Sequence, residues 1–240
     1  MLYLFDGTMA GFLTAFPRAF LDGDAILSSK SIQLHLGQGQ VCVETDFTLA
    51  ERVQNRLLSF DRDCLRDLDV LLRCGMEDNE QVAFHYLRLL AKTKSPVNKR
   101  LAEPDVFRAV EYIRKVSHEI HKFHGFIRFM ETASGALYAP FSPDNDICDL
   151  LAPHFKNRLP QFPFVLHDIK RQKATVYDGK SLFTAPLKEA DVLLAADETG
   201  WQTLWKKYYG AVNIPSRERI GQMKGSMPVR YWKFLTEKQP

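Results

Sequence analysis

Residues 117–131 read SHEIHKFHGFIRFME, which places His118, His121 and His124 at three-residue intervals among Glu119, Glu131 and Arg128. Histidine, carboxylate and guanidinium side chains can move protons, ligate metal or grip anions. If a helix persists through His124, each three-residue step turns the side chain by about 300°, so successive histidines are offset by about 60°. Neighbouring pairs could share an ion, but all three together fit poorly. The spacing HEIHKFH also differs from HExxH, the pattern that pairs two zinc-binding histidines with a glutamate base. No metal site is assigned. The plainer alternative is a polar helix end at Gly125, where a protonated histidine meets the negative end of the helix dipole favourably. In FIRFME, period-two alternation sets Arg128 and Glu131 on opposite faces of a strand. A cleft-facing Glu131 near a histidine could act as a general base. The candidate catalytic set is therefore His118, Glu119, His121, Arg128 and Glu131.

Those residues need elements to hold them. A chain of 240 residues with 45% hydrophobic content can bury a substantial core. MLYLFD reads as a strand closed by Asp6-Gly7, and Thr8 caps a helix running to Phe20. SIQLHL and QVCVETD alternate as strands, and helical periodicity dominates from Leu49 to Lys94, with breaks near Ser59–Asp61 and Cys74-Gly75. The polar stretch KTKSPVNKRLAEPD suggests a division into an N-terminal α/β and helical part, 1–95, and a C-terminal α+β part, 96–240. The second part reads as a helix from Asp105 to His124, facing the core with Val106, Val110, Ile113, Val116 and Ile120 and ending at Gly125. A hairpin from FIRFME and ALYAPF follows, then a helix over DICDLLAPHFKNRL, strands in FPFVLHD and KATVYD, and a helical tail. The fold expected is α+β and helix-rich, with a central antiparallel sheet built from hairpins.

The tail is the most charged region. From Trp201 onward, eight bases stand against two acids, interleaved with Trp201, Trp205, Tyr208, Tyr209, Tyr231 and Trp232. Bases with aromatics suit a phosphate backbone and unstacked bases; a solvated basic face over an aromatic core stripe is the alternative. HFKNRL and HDIKRQK add further cations. The candidate nucleic-acid contacts are His154, Arg158, Arg171, Arg217, Arg219, Arg230 and Trp232. Asp168 and Arg171 are also spaced for a local ion pair, and Asp144 and Asp146 in SPDNDI read as turn and cap residues.

The four cysteines are scattered without a CxxC pair, which disfavours a zinc knuckle. No stretch approaches the roughly 20 apolar residues that span a bilayer, and the start lacks a basic n-region. No membrane association is expected, and a cytoplasmic location is.

The ordered segments YLFDGTMAGFLTA, HKFHGFIRFME, GALYAPFSPDNDI, LAPHFKNRLPQFPFVLHDIKR and MPVRYWKFLTE resemble a bacterial DNA metabolism family encoded beside a radical SAM DNA modification/repair protein. A related domain is fused to uracil-DNA glycosylase-like domains. The chain departs from that pattern at Phe164, where tryptophan is expected, and over RERIGQMKG. The resemblance implies DNA and a radical SAM protein as partners, with the iron-sulfur cluster and S-adenosylmethionine held by the partner and no cofactor in this chain. Three functions follow as expectations: a DNA-binding accessory in repair or modification, a glycosylase- or nuclease-like DNA hydrolase, or a protein–protein adaptor.

Overall fold

The computed structural model describes residues 1–30, 39–190, 192–214, 216 and 219–239; the strand expected in SIQLHL, and Arg217, lie outside them. Two units are present, Met1–Ser117 and His118–Pro240.

In the N-terminal unit, strand β1 (Leu2–Leu4) ends at Asp6, whose Oδ1 accepts from the Thr8 N–H at 2.9 Å and the Thr8 hydroxyl at 2.6 Å. Gly7 bridges them at φ +79°, a conformation that costs glycine little. The Thr8 hydroxyl oxygen in turn accepts from the Gly11 N–H and starts helix α1 (Met9–Phe20), which buries Phe12, Leu13, Ala15, Phe16 and Ala19. Strands β2 (Ile26–Ser28) and β3 (Gln40–Cys42) flank β1, both parallel to it, in the order β2-β1-β3. Asp46 caps helix α2 (Phe47–Leu58), and α3 (Cys64–Leu72) and α4 (Asn79–Thr93) follow, with breaks where the periodicity predicts them. Leu57, Leu68, Leu71, Phe84, Leu87 and Leu90 form their buried core.

Helix α5 (Pro104–Phe126) supplies residues to both units. It runs through Gly125 instead of stopping there. The Arg128 Nη1 donates to the Gly125 carbonyl at 2.7 Å, satisfying one of the acceptors that a helix C-terminus leaves open.

The C-terminal unit holds a five-stranded sheet ordered β4-β5-β6-β7-β8, from strands Met130–Glu131, Leu137–Phe141, Phe164–Asp168, Lys173–Tyr177 and Leu182–Pro186. β4 and β5 pair antiparallel, as do β6 and β7 and then β7 and β8. The expectation of a purely antiparallel sheet is corrected at its centre, where β5 and β6 pair in parallel, Leu137 opposite Phe164 and Phe141 opposite Asp168. The intervening helix α6 (Cys148–Arg158) is the reason: a helical crossover returns the chain to the end where it began, and this connection joins parallel strands. α6 buries Cys148, Leu151, Ala152 and Phe155, a one-face spacing. Helices α7 (Glu198–Val212) and α8 (Ile220–Ser226) and short 3-10 turns over Val229–Phe234 and Thr236–Lys238 complete the unit. No helix among the described residues is long and apolar enough to cross a membrane.

Candidate nucleic-acid interface

The buried residues of α5 are Val106, Ala109, Tyr112, Val116, Glu119 and Phe123, a stripe shifted from the purely aliphatic face that the sequence suggests. The shift carries Glu119 inside, with 6% of its surface exposed, and leaves His118 and His121 in solvent. Glu119 accepts four hydrogen bonds: from the Asp144 N–H (2.8 Å), the Asn145 N–H (2.8 Å), the Asn145 Nδ2 (2.6 Å) and the Tyr231 hydroxyl (2.6 Å). Burial first, then the Glu119 contact, pushes the Tyr231 hydroxyl well above its ordinary pKa, so it stays a donor. The SPDNDI loop is clamped from its other side too. Arg171 donates to the Pro143 and Asp144 carbonyls and pairs with the fully buried Asp168 at 3.0 Å. Arg230 pairs with Asp144, and Lys173 with Asp146. Glu119, Arg171 and Arg230 are thus partners of one loop.

The third histidine of the stretch meets α6. His124 and His154 stack with ring centroids 4.0 Å apart and planes 15° from parallel. Burial, then the neighbouring His154 and His121, holds His124 below the usual histidine pKa. The Nε2 atoms of His124 and His154 are buried without a hydrogen-bond partner. Metal lies in the plane of an imidazole ring that binds it, so two nearly parallel stacked rings do not converge on one ion. Among the described residues, no group of three or more histidine, cysteine, aspartate or glutamate side chains is placed to hold a metal.

A different set converges on a cavity of about 620 Å³, lined by Arg128, Glu131, Arg158, Glu198, Trp201 and Trp205 among others. Helix α7 builds one wall. Trp201 and Trp205, one turn apart, are 58% and 40% exposed. Glu198 is buried at the start of α7, where its Oε2 accepts from the Glu131 N–H and its Oε1 from the Gln202 Nε2, both at 2.9 Å. Arg128 pairs with Glu237 at 2.7 Å and stands over the Trp205 ring, 5.6 Å from its centroid. The Trp205 Nε1–H donates to the same Glu237 at 2.9 Å. Burial works to raise the Glu237 carboxyl, but the hydrogen bonds from Arg128 and Trp205 outweigh it and hold it below its ordinary pKa. Glu131 and Arg158 are exposed at the cavity.

The fold therefore gathers Arg128, Glu131 and Arg158 from the sequence-derived candidates, and the other candidates among the described residues do not line this cavity. Arg219 is exposed beside a separate cavity of about 290 Å³ with Tyr209 and Met223. Trp232 is half-buried and donates its Nε1–H to the Met227 carbonyl. Trp201 and Trp205 stand in the sequence as an i, i+4 aromatic pair within the basic tail. Glu198 has a local partner in Gln202, but what brings Glu198 and Glu237 to the cavity are bonds to Glu131 and Arg128, 67 and 109 residues away, which no local pattern shows.

No curated protein and no solved structure matches the chain. The family model for a domain of unknown function, DUF4130, matches residues 77–237, more than half of the chain, and the protein belongs to that family.

Proposed function

We propose that the chain binds DNA through its C-terminal unit, accepting an unstacked base against Trp201 and Trp205 and a backbone phosphate at Arg158. The observation that carries this reading is the half-exposed tryptophan pair on one wall of a 620 Å³ cavity that also presents Arg128 and Arg158. Stacking a base on an aromatic ring contributes about 1–3 kcal/mol and tolerates any sequence. The buried Glu198 and the exposed Glu131 repel phosphate from the floor, which favours the backbone at the rim and a base edge, with its amino and ring N–H donors, inside. The resemblance to the radical SAM-associated family extends the reading to an accessory in DNA repair or modification, with the radical chemistry in its partner.

Fluorescence anisotropy with labelled single-stranded and duplex DNA, with and without uracil or an abasic site, across a salt series, tests it. Affinity is expected to fall as salt rises. Trp201→Ala and Trp205→Ala should each weaken single-strand binding by about 5- to 100-fold. Arg158→Glu should lower the salt slope by about one. Absence of binding at low salt removes the proposal.

A second reading, a DNA hydrolase, is favoured by the exposed Glu131 carboxylate at the same cavity. A carboxylate there can activate water. Cleavage or base release that Glu131→Gln abolishes while binding is retained would favour this reading over the accessory.

A further inference from the structure

The N-terminal unit carries a second, chemically different cavity of about 500 Å³ between α1 and α2. Its apolar surface comes from Phe16, Phe20 and Leu21 on the α1 side and Leu49, Val53 and Leu57 on α2. Leu21 is 86% exposed, an apolar side chain with no cover. The charged residues that line the groove are Arg52, Arg56 and Lys94; among the described lining residues there is no carboxylate. None of these three cations takes part in an ion pair among the described residues. Arg56 instead lies over the Phe60 ring, 4.9 Å from its centroid.

We propose that this groove docks an acidic amphipathic helix of a partner protein. Three features favour that occupant. The α2 lining runs from Leu49 to Leu57, about 12 Å of helix, which matches about two turns of a third helix. The α2 residues Leu49, Val53 and Leu57 recur every four positions and so form one apolar stripe along the groove, which the apolar face of an incoming helix can cover. Arg52 and Arg56 are one turn apart on α2, so carboxylates one turn apart on the incoming helix meet both. A small ligand is better served by a cavity that encloses most of its surface. A nucleic-acid backbone would leave the apolar floor uncovered.

The test uses the full chain and a fluorescein-labelled, end-capped helical peptide of about 16 residues, long enough to hold helix. Its leucines recur at i, i+3, i+4 and i+7, flanked by glutamates; a twin carries lysines in place of the glutamates. The acidic peptide is expected to bind at least about tenfold more tightly than its twin at low salt. The doubly substituted Arg52→Glu/Arg56→Glu chain should reverse that preference, and Leu21→Ser should weaken both peptides. These positions are exposed, so circular dichroism is expected to match the parent. Equal binding of both peptides, or binding of neither up to about 1 mM, overturns the proposal. So does dodecanoate occupying the groove while the acidic peptide fails to compete, or self-association that the Leu21→Ser substitution abolishes. Because the probe contains no DNA, the outcome is separate from that of the anisotropy experiment.

Discussion

Replacing Glu119 separates two roles for the HEIH stretch. The carboxylate is buried and accepts four hydrogen bonds, two from backbone N–H groups of the 144–145 loop and two from side chains. Glu119→Gln keeps one oxygen and turns an N–H₂ either toward the Asn145 N–H and Nδ2, which only donate, or toward the Asp144 N–H and the Tyr231 hydroxyl, of which only the hydroxyl can accept. Hydrogen bonds to a charged group contribute about 1.5–3 kcal/mol each, and an unsatisfied buried donor costs about 1–3 kcal/mol. At least one interaction is lost, a buried N–H is left facing a donor, and the remaining bonds lose the carboxylate's charge, so the expected loss is about 2–4 kcal/mol. Tyr231→Phe alone removes one of the four and should cost about 1.5–3 kcal/mol. The double variant should fall short of additivity, because the two groups share a bond. All three tryptophans, Trp201, Trp205 and Trp232, belong to the C-terminal unit, so urea unfolding followed by tryptophan fluorescence reports on the unit that holds Glu119. A general base in an open cleft behaves differently: its Gln variant stays within about 0.5 kcal/mol of the parent, as surface substitutions do. A measured loss below about 1 kcal/mol at unchanged m would refute the structural role assigned to Glu119.

Other outcomes follow from the same geometry. Glu237 is held below its ordinary carboxyl value, so its contribution to stability is present above the unfolded pKa near 4.5 and is lost as pH falls through the lower folded value. Acid titration of Trp205 fluorescence should show that loss, and Glu237→Gln should remove it while costing about 1–3 kcal/mol at neutral pH. His124 is held below 6.5 by burial and then His154, so stability should decline as pH falls from about 6.5 toward its folded value. In NMR titrations, His154→Gln should move the His124 midpoint upward; an unmoved midpoint would show that His154 does not act on it. Cys42 is exposed, whereas burial, then Asp61 and Asp67, pushes the Cys64 thiol to about 11, and burial also raises Cys148. Ellman's reagent should therefore modify one thiol quickly and the other three only on unfolding. More than one fast thiol contradicts the assigned burial.

Much of the fold was legible in the sequence because its signals are local. Asp6-Gly7-Thr8 spells the turn and cap between β1 and α1, and the breaks near Ser59 and Cys74 mark the ends of α2 and α3. The β6–β7 hairpin follows from alternation; in the β4–β5 hairpin the strand expected over FIRFME shrinks to Met130–Glu131, because α5 runs on to Phe126 and leaves Arg128 outside the strand. Strands β2 and β8 carry no such local signal. β2 has three residues, too few to establish a period, and β8 carries a terminal proline and an exposed Phe183 at a sheet edge.

The sequence by itself determined where most helices and the β6–β7 hairpin form and that the tail combines cations with aromatics, because backbone periodicity and side-chain type are properties of neighbouring residues. Tertiary structure alone decided that β5 and β6 run parallel, that Glu119 turns inward, and that Arg171 and Arg230 serve the SPDNDI loop. It also brought Glu198 and Glu237 to the cavity with Trp201 and Trp205. The physical reason is the cost of burying charge. A buried carboxylate must find donors wherever the chain brings them, and for Glu119 one of them lies 112 residues away, beyond the reach of any local pattern.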